Sequence, residues 1–193
     1  AFLPPVDGGL DVTFQPLPLP PGALRLEQVV GWLAQNLPAN AIVTNGAGNF
    51  SAWVHRFYEH RRPDTQLAPT SGAMGYGFPA AIAAALVHPE RIVVCVAGDG
   101  DFLMNGQELA TAMQYGCDLT VILIDNGTYG TIRMHQERKF PTRISGTTLH
   151  NPDFAALARA YGGWAQRVET TDQFIAYLRS NLLAKHPEVM SDA

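Results

Sequence analysis

Two short apolar runs, each followed within three residues by glycine and an oxygen-bearing side chain, constrain this chain more than any other feature. Ile92–Ala97 is followed by Gly98–Gly100, and Leu119–Ile124 is followed by Asp125–Gly127. Apolar runs of this length that end at turn-forming residues predict buried strands. The stretch between them is long enough for a crossover helix, which favours a parallel pair. Because parallel strands end at the same edge of a sheet, we expect the two loops to lie side by side.

The remainder of the chain repeats this alternation of helix and strand. Such a pattern predicts an α/β fold, a parallel sheet with helices on both faces. We expect Asn151 to cap a helix that Pro152 opens. The expected helices are 26–37, one containing Trp53 and Phe57, 79–87, 107–114, 151–161 and one from about 171; the expected strands are 41–44, 92–97, 119–124 and 165–168.

Composition narrows the class of protein. With 193 residues, 47% of them hydrophobic and 16% charged, the chain can bury a sizeable core. The net charge is −4 and Lys/Arg runs are absent, so nucleic acid is not an expected partner. No apolar run reaches the length of a membrane span, so no membrane partner is expected. Cys95 and Cys117 are expected to be inert core thiols in a reducing cytoplasm.

The chain is expected to divide into a short linker and one domain. Residues 1–22 are rich in proline, which predicts an extended linker from a preceding domain. The alternation of helices and strands begins just after this segment, so the domain is expected to span 23–193.

The residues at the two strand ends are suited to a divalent cation beside a diphosphate. Asp99 offers a carboxylate oxygen, Asn126 an amide oxygen and Thr128 a backbone carbonyl, the hard ligands that Mg²⁺ prefers. Two diphosphate oxygens and a water would complete the octahedron. The backbone N–H groups of Gly100 and Asp101 are expected to face the phosphates. Taken alone, Asp99 has a simpler alternative role, capping the helix that follows.

These residues resemble a known cofactor motif. Gly98–Gly100 followed by Asp125 and Asn126 resembles the thiamine diphosphate motif, Gly-Asp-Gly, a gap, then Asn-Asn. The first Asn is Asp here, and the metal-ligand position is retained as Asn126. Ser71–Ile82 resembles the loop and helix of acetolactate synthases, pyruvate oxidases and benzoylformate decarboxylases, and Asn151–Gly162 is similar to the same superfamily. The resemblance implies the thiamine diphosphate-binding fold and identifies 23–193 as its diphosphate-binding (PP) domain.

The resemblance also implies how the cofactor's pyrimidine end is held. Gly72 would offer its carbonyl to the exocyclic amine of the aminopyrimidine. Met74 would wedge under the cofactor and keep it bent, so that this amine approaches the reactive carbon. A gap-filling core methionine is the alternative for Met74.

Two further groups of residues are expected along the diphosphate. Gly48 and Asn49 resemble a Gly-Gln pair that touches it, although a simple turn explains them almost as well. Tyr129, Gly130 and Thr131 would continue along the same group, with Tyr129 alternatively a packing aromatic.

The resemblance implies a lyase or transferase, a decarboxylase or carboligase of small 2-oxo acids, similar to acetolactate synthase. No catalytic side chain is predicted within this chain. The activating glutamate is expected from a pyrimidine-binding domain in the same or a second chain, in a homodimer or tetramer. Mg²⁺ is the expected metal, and FAD is compatible with the family but not indicated by these residues.

Two alternatives stay open. A non-catalytic assembly module could retain this fold and act through the alanine-rich helix at 79–87. A nucleotide-binding Rossmann domain is disfavoured, because Gly-x-Gly-x-x-Gly does not follow the first strand. Arg133 and His135 could meet a substrate carboxylate, with solvated helix positions as the simpler interpretation.

Overall fold

The computed structural model describes residues 23–183, and the linker predicted for residues 1–22 lies outside the described residues, as do residues 184–193. The described elements alternate as the sequence pattern predicts. In chain order they are α1 (Leu26–Asn36), β1 (Ile42–Asn45), α2 (Ser51–Phe57), β2 (Gln66–Leu67), α3 (Gly77–Val87), β3 (Val93–Gly98), α4 (Asp99–Phe102), a 3₁₀ turn (Gly106–Glu108), α5 (Leu109–Gln114), β4 (Thr120–Ile124), α6 (Gly130–Lys139), α7 (Phe154–Ala160), α8 (Thr171–Leu178) and a π-helical turn (Arg179–Leu183).

The four described strands form one parallel sheet in the order β2-β1-β3-β4. In its register, Gly98 at the end of β3 lies opposite Ile124 at the end of β4. On the other side of β3, Val96 lies opposite Asn45 at the end of β1. The loops that leave these three strands therefore start at nearly the same level of one sheet edge, as predicted for the parallel arrangement.

Helices cover both faces of the sheet, which confirms the predicted fold class. Alternate residues of a strand point to opposite faces. Val94 and Val96 pack into a core with α1, α2 and α8, whereas Val93 and Cys95 pack into a second core with α3 and α5. Every residue of β3 is buried, as expected for the strand in the middle of two helical layers.

Two details of the predicted elements are wrong. The strand expected at 165–168 does not form, and the Ala165 carbonyl accepts a hydrogen bond from the Arg159 side chain instead of a neighbouring strand. The helix expected from Asn151 begins at Phe154, and its cap is Asp153, whose Oδ1 accepts the Ala156 N–H at 2.9 Å. The side chain of Asn151 donates instead to the carboxylates of Asp99 and Asp125.

None of the helices between residues 23 and 183 combines the length and the hydropathy needed to cross a membrane.

Candidate functional site

A cavity of about 230 Å³ opens at the carboxyl ends of β1, β3 and β4. Its walls include all the residues predicted to bind the cofactor, and four that were not predicted. The predicted ones are Gly48, Asn49, Gly72, Met74, Gly98, Asp99, Gly100, Asp101, Asn126, Thr128, Tyr129, Gly130 and Thr131; the others are Ala47, Phe50, Ile124 and Ile132. Each of these four lies within two residues of a predicted residue in the sequence. This proximity is the only signal that the sequence offered for them.

Asp99 is held at the end of β3 by three N–H donors. It is 3% exposed, and its Oδ1 accepts the N–H of Gly100 at 2.8 Å. Its Oδ2 accepts the N–H of Gly127 at 2.8 Å and the side-chain amide of Asn151 at 2.7 Å. Each carboxylate oxygen offers two lone pairs, so Oδ2 is filled and Oδ1 keeps capacity for a cation. The Gly100 N–H, expected at the phosphates, is donated to Asp99 in this structure.

The loop after β4 is ordered around Asn126 and Thr128. The Asn126 Oδ1 accepts the Thr128 N–H at 3.1 Å, a local turn that keeps the amide oxygen near the sheet edge. The Thr128 carbonyl accepts the Gly130 N–H at 2.9 Å. Both predicted oxygen ligands thus carry one backbone donor and retain a second lone pair for a metal.

A second strand-like segment supports this loop from behind. Residues 147–149 run antiparallel to 127–129, with the Tyr129 N–H bonded to the Thr147 carbonyl and the Leu149 N–H bonded to the Gly127 carbonyl, both at 2.9 Å. The Thr128 hydroxyl donates to the Thr147 carbonyl at 2.8 Å. The cavity wall is therefore a paired segment and not a free loop.

Asp101 joins two loops that are far apart in sequence. Its side chain is 3% exposed, and its Oδ1 accepts the N–H of Gly75 at 2.8 Å and of Ala47 at 3.2 Å. Burial raises the pKa of this carboxyl above its ordinary value, and the two N–H bonds oppose the rise. Only its backbone was expected to contribute, so the side chain is a functional group that sequence reasoning missed.

The loop that carries Gly72 and Met74 is fixed at its far end. Gly72 and Gly75 adopt φ angles of +68° and +81°, which favour glycine. The Asn105 side chain donates to the Gly75 carbonyl at 2.7 Å. Met74 is half-buried and lines the cavity, a position that fits contact with a ligand better than a buried gap-filler.

Aromatic rings pack directly on the glycines of the site. A Cβ at Gly48 or at Gly98 would lie 2.7 Å or 2.8 Å from the Phe50 ring, and one at Gly100 would lie 2.4 Å from the Tyr129 ring. A side chain at any of these positions would therefore force the neighbouring ring to move. The Tyr129 ring packs on Gly100, as the packing alternative predicts, and Tyr129 also lines the cavity in which the diphosphate contact is expected.

A single hydrogen bond closes the cavity between two loops. The Thr131 hydroxyl donates to the Asn49 Oδ1 at 2.9 Å, which ties the start of α6 to the loop after β1. Further along α6, Arg133 bonds Glu137 at 2.9 Å and both side chains are exposed, while His135 is exposed as well. Neither Arg133 nor His135 lines the cavity, so the position of both favours the solvated-helix interpretation.

The charge of the cavity indicates what it can hold. Among the described residues that line it, none is Lys, Arg or His, and Asp99 and Asp101 are acidic and buried. Between residues 23 and 183, no three His, Cys, Asp or Glu side chains converge on a metal position. A cation here would draw the rest of its shell from ligand oxygens and water, as Mg²⁺ commonly does. The donor set fits a metal-bridged diphosphate.

Comparison with known proteins decides the family. The family model described as "Thiamine pyrophosphate enzyme, C-terminal TPP binding domain" matches residues 46–191. This chain belongs to the thiamine pyrophosphate enzyme family. Its match to that family contains every residue predicted at the cavity, from Gly48 to Thr131. The chain therefore carries the C-terminal domain of a thiamine pyrophosphate enzyme, as the motif resemblance implied.

Relatives within the thiamine pyrophosphate enzymes include acetolactate synthases. The chain is 36% identical over 173 residues to the acetolactate synthase isozyme 2 large subunit of Escherichia coli, covering 89% of this chain and 32% of that protein. It is 36% identical over 153 residues to the probable acetolactate synthase large subunit of Methanocaldococcus jannaschii, covering 78% and 26%. The chain thus spans about a third or less of these relatives.

A solved structure shares the fold. The thiamine diphosphate-dependent 4-hydroxybenzoylformate decarboxylase of Rhodococcus jostii RHA1 superposes with a TM-score of 0.79 at 28% identity. The match covers 93% of this chain and 33% of that enzyme. The described residues 23–183 therefore share the fold of a thiamine diphosphate-dependent enzyme.

Proposed function

We propose that residues 23–193 form the diphosphate-binding domain of a thiamine diphosphate-dependent 2-oxo acid decarboxylase or carboligase of the acetolactate synthase type. The observation that carries this proposal is the cavity at the sheet edge, where oxygen ligands converge and cationic side chains are absent. A diphosphate cannot approach two buried carboxylates without a bridging cation, because like charges in a low-dielectric site repel strongly. Family membership supports thiamine diphosphate as the ligand that carries this diphosphate.

The proposed roles follow from the position of each group. Asp99 Oδ1, the Asn126 amide oxygen and the Thr128 carbonyl hold Mg²⁺, because each keeps a free lone pair. When bound, the cofactor would accept the electron pair of the carbon–carbon bond that breaks when the substrate's carboxylate leaves as CO₂. The other cavity residues line the diphosphate (Gly48, Asn49, Gly98, Gly100, Asp101, Tyr129, Gly130, Thr131) and the pyrimidine (Gly72, Met74).

The chain supplies one half of the proposed active site. A pyrimidine-binding domain, in the same or a second chain, provides the activating glutamate, and a homodimer or tetramer brings the halves together. Free Cys95 and Cys117 suit a reducing compartment such as the cytoplasm. Relatives named as synthases and a decarboxylase support small 2-oxo acids as substrates.

Calorimetric titration of the intact protein with thiamine diphosphate tests the proposal. Binding is expected in the presence of Mg²⁺ and is expected to vanish with a chelator. Asp99→Ala should weaken binding at least tenfold, the usual scale for loss of one charged metal contact. Gly31→Ala, on α1 and away from the cavity, is the control. Undiminished binding by Asp99→Ala, or equal binding without metal, would contradict the proposed metal site.

The main argument for a non-catalytic assembly module was that the alanine-rich helix offers a face for partners. Ala81, Ala84 and Ala85 on α3 are buried against β3 within the domain itself. The alanine-rich helix therefore packs on its own sheet, and this favours the cofactor-binding proposal over an assembly role for that face.

A further inference from the structure

Asn151 links two carboxylates at the end of the sheet. Its Nδ2 lies 2.7 Å from Asp99 Oδ2 and 2.7 Å from Asp125 Oδ1. An amide NH₂ group has two N–H bonds, so each carboxylate receives one. Asp99 is buried and Asp125 is exposed, and the single amide therefore joins the inner acid of the site to an outer one.

The other end of the same amide has no partner. Asn151 Oδ1 is buried and accepts no hydrogen bond within the described part of the chain. An unpaired buried acceptor costs free energy, so the two bonds from Nδ2 must determine the orientation of this side chain. The side chain also leaves the capping of α7 to Asp153. Its contacts therefore serve the carboxylates and not the helix that follows.

These contacts control how Asp99 can meet a cation. With Oδ2 occupied by Gly127 N–H and Asn151, only Oδ1 has capacity left, and rotation of the carboxylate would break two bonds. Asp125 accepts from the same amide nitrogen as Asp99, so the amide lies between the two acids and reduces the repulsion between them.

We infer that Asn151 is a positioning residue that presents one oxygen of Asp99 to the cation and thereby sets both the affinity and the size preference of the metal site. This role rests on the proposed function. A rigid single-oxygen ligand suits the near-ideal octahedron of Mg²⁺, whereas a carboxylate free to turn suits the larger, more adaptable shell of Ca²⁺.

The test measures metal binding and not turnover. Mg²⁺ and Ca²⁺ are titrated separately into the intact apo protein at saturating thiamine diphosphate, with calorimetry as the readout. Asn151→Leu, similar in volume but without donors, should raise the half-saturating Mg²⁺ concentration about tenfold, as loss of a ligand-orienting group usually does. The preference for Mg²⁺ over Ca²⁺ should fall at the same time. Asn151→Ser, which keeps one donor, should fall between wild type and Asn151→Leu, and it decides the question if Asn151→Leu does not fold.

Asp153→Ala is the matched control. It removes the cap of α7 two residues away and loosens the same segment without touching Asp99. Its half-saturating Mg²⁺ concentration and its metal preference should stay within about twofold of wild type. Equal effects of Asp153→Ala and the Asn151 variants, or an unchanged metal preference in those variants, would overturn the inference. A wild-type protein that binds no cofactor in either metal would instead contradict the proposed function.

Discussion

The carboxylate of Asp101 occupies the space in which a side chain on Gly46 would stand. A Cβ at Gly46 would lie 2.0 Å from both carboxylate oxygens of Asp101. Gly46 directly follows β1, and Asp101 uses the gap above it to reach the Ala47 N–H. Asp101 can therefore bond Ala47 and join the two loops only because Gly46 has no side chain.

Gly46→Ala should destabilise the protein by about 1–3 kcal/mol, because the buried carboxylate must move and its bonds to Ala47 and Gly75 stretch or break. In the double variant Gly46→Ala/Asp101→Ala the clash is absent, so the loss should be smaller than the sum of the single losses. Denaturant unfolding of the intact protein measures both values. Gly31→Ala should instead stabilise by up to about 1 kcal/mol, because apart from the backbone of its own helix no described atom lies within 4 Å of the added Cβ. Additive losses in the double variant would count against the steric explanation.

Alanine substitutions at Gly72 and Gly75 should distinguish the cost of backbone strain from the cost of a steric clash. Both have positive φ, so alanine at either position should cost about 1–2 kcal/mol of strain. A Cβ at Gly75 would also lie 2.7 Å from Met104 Cβ and 2.8 Å from Asn105 Nδ2, whereas none of the described atoms lies within 4 Å of a Cβ at Gly72. Gly75→Ala should therefore unfold at a clearly lower temperature than Gly72→Ala. Thermal melts of the two variants side by side decide this, and equal melting temperatures would contradict it.

His60 should make stability depend on mildly acidic pH. Burial, with a further contribution from His55, lowers the pKa of His60 in the folded state. The unfolded chain then binds the proton more readily, so stability is full above the ordinary value of about 6.5 and is lost as the pH falls through the folded pKa. The Thr65 hydroxyl donates to the Arg62 carbonyl, so it must accept from His60 Nδ1–H. The neutral and the protonated ring can both make this bond, so burial remains the main cause of the lowered pKa.

His60→Gln should flatten this dependence. Between about pH 7 and about pH 5, wild type should lose more unfolding free energy than the variant. Urea unfolding at a series of pH values measures the difference. His88→Gln is the control, since His88 is only partly buried and the ion pair described for its side chain is with surface Glu90. A parallel loss in wild type and His60→Gln would refute the assignment.

The two cysteines should differ in reactivity. Burial raises the pKa of the Cys95 thiol to about 12, and that residue is 0% exposed in β3. Cys117 is only partly buried, although burial raises its pKa as well. Iodoacetamide at pH near 8 should label Cys117 slowly in the native protein and Cys95 only after unfolding, because the thiolate is the reactive form. Mass spectrometry of the peptides gives both rates, and prompt native labelling of Cys95 would contradict its burial.

The positions of the cavity loops could be predicted from the sequence because the strands of a parallel sheet appear in it as short apolar runs. The runs that became β1, β3 and β4 are rich in apolar residues, and each leads to a glycine within three residues of the strand end. Strands β1 and β3 are buried throughout, as predicted, whereas in β4 only Ile122 is buried. Parallel order then brings Gly48, Asp99 and Asn126 to one edge without any knowledge of side-chain contacts. Strand β2, with two residues, has too short a pattern to be read.

The role of Asp101 could not be predicted, because its partners are backbone groups 26 and 54 residues away. The cap of α7 was mispredicted for a similar reason. Asn151 and Asp153 both have side chains suited to capping. Asn151 does not cap α7 because its amide is bonded to Asp99, which lies 52 residues earlier. The sequence at 165–168 has strand-like residues, but in the described structure no neighbouring strand is placed to pair with it.

The order in which the cavity's parts occur along the chain has a consequence for its synthesis. The cavity segments at 46–49, 72–75, 98–101 and 126–132 precede Asn151, which lies latest in the chain among the hydrogen-bond partners described for Asp99. Because a nascent chain emerges from its N-terminus, the strands and loops become available before the amide that separates Asp99 from Asp125. On the ribosome, therefore, the cation site cannot reach its final form until residue 151 has left the exit tunnel, although the residues proposed to hold the metal are all synthesised earlier.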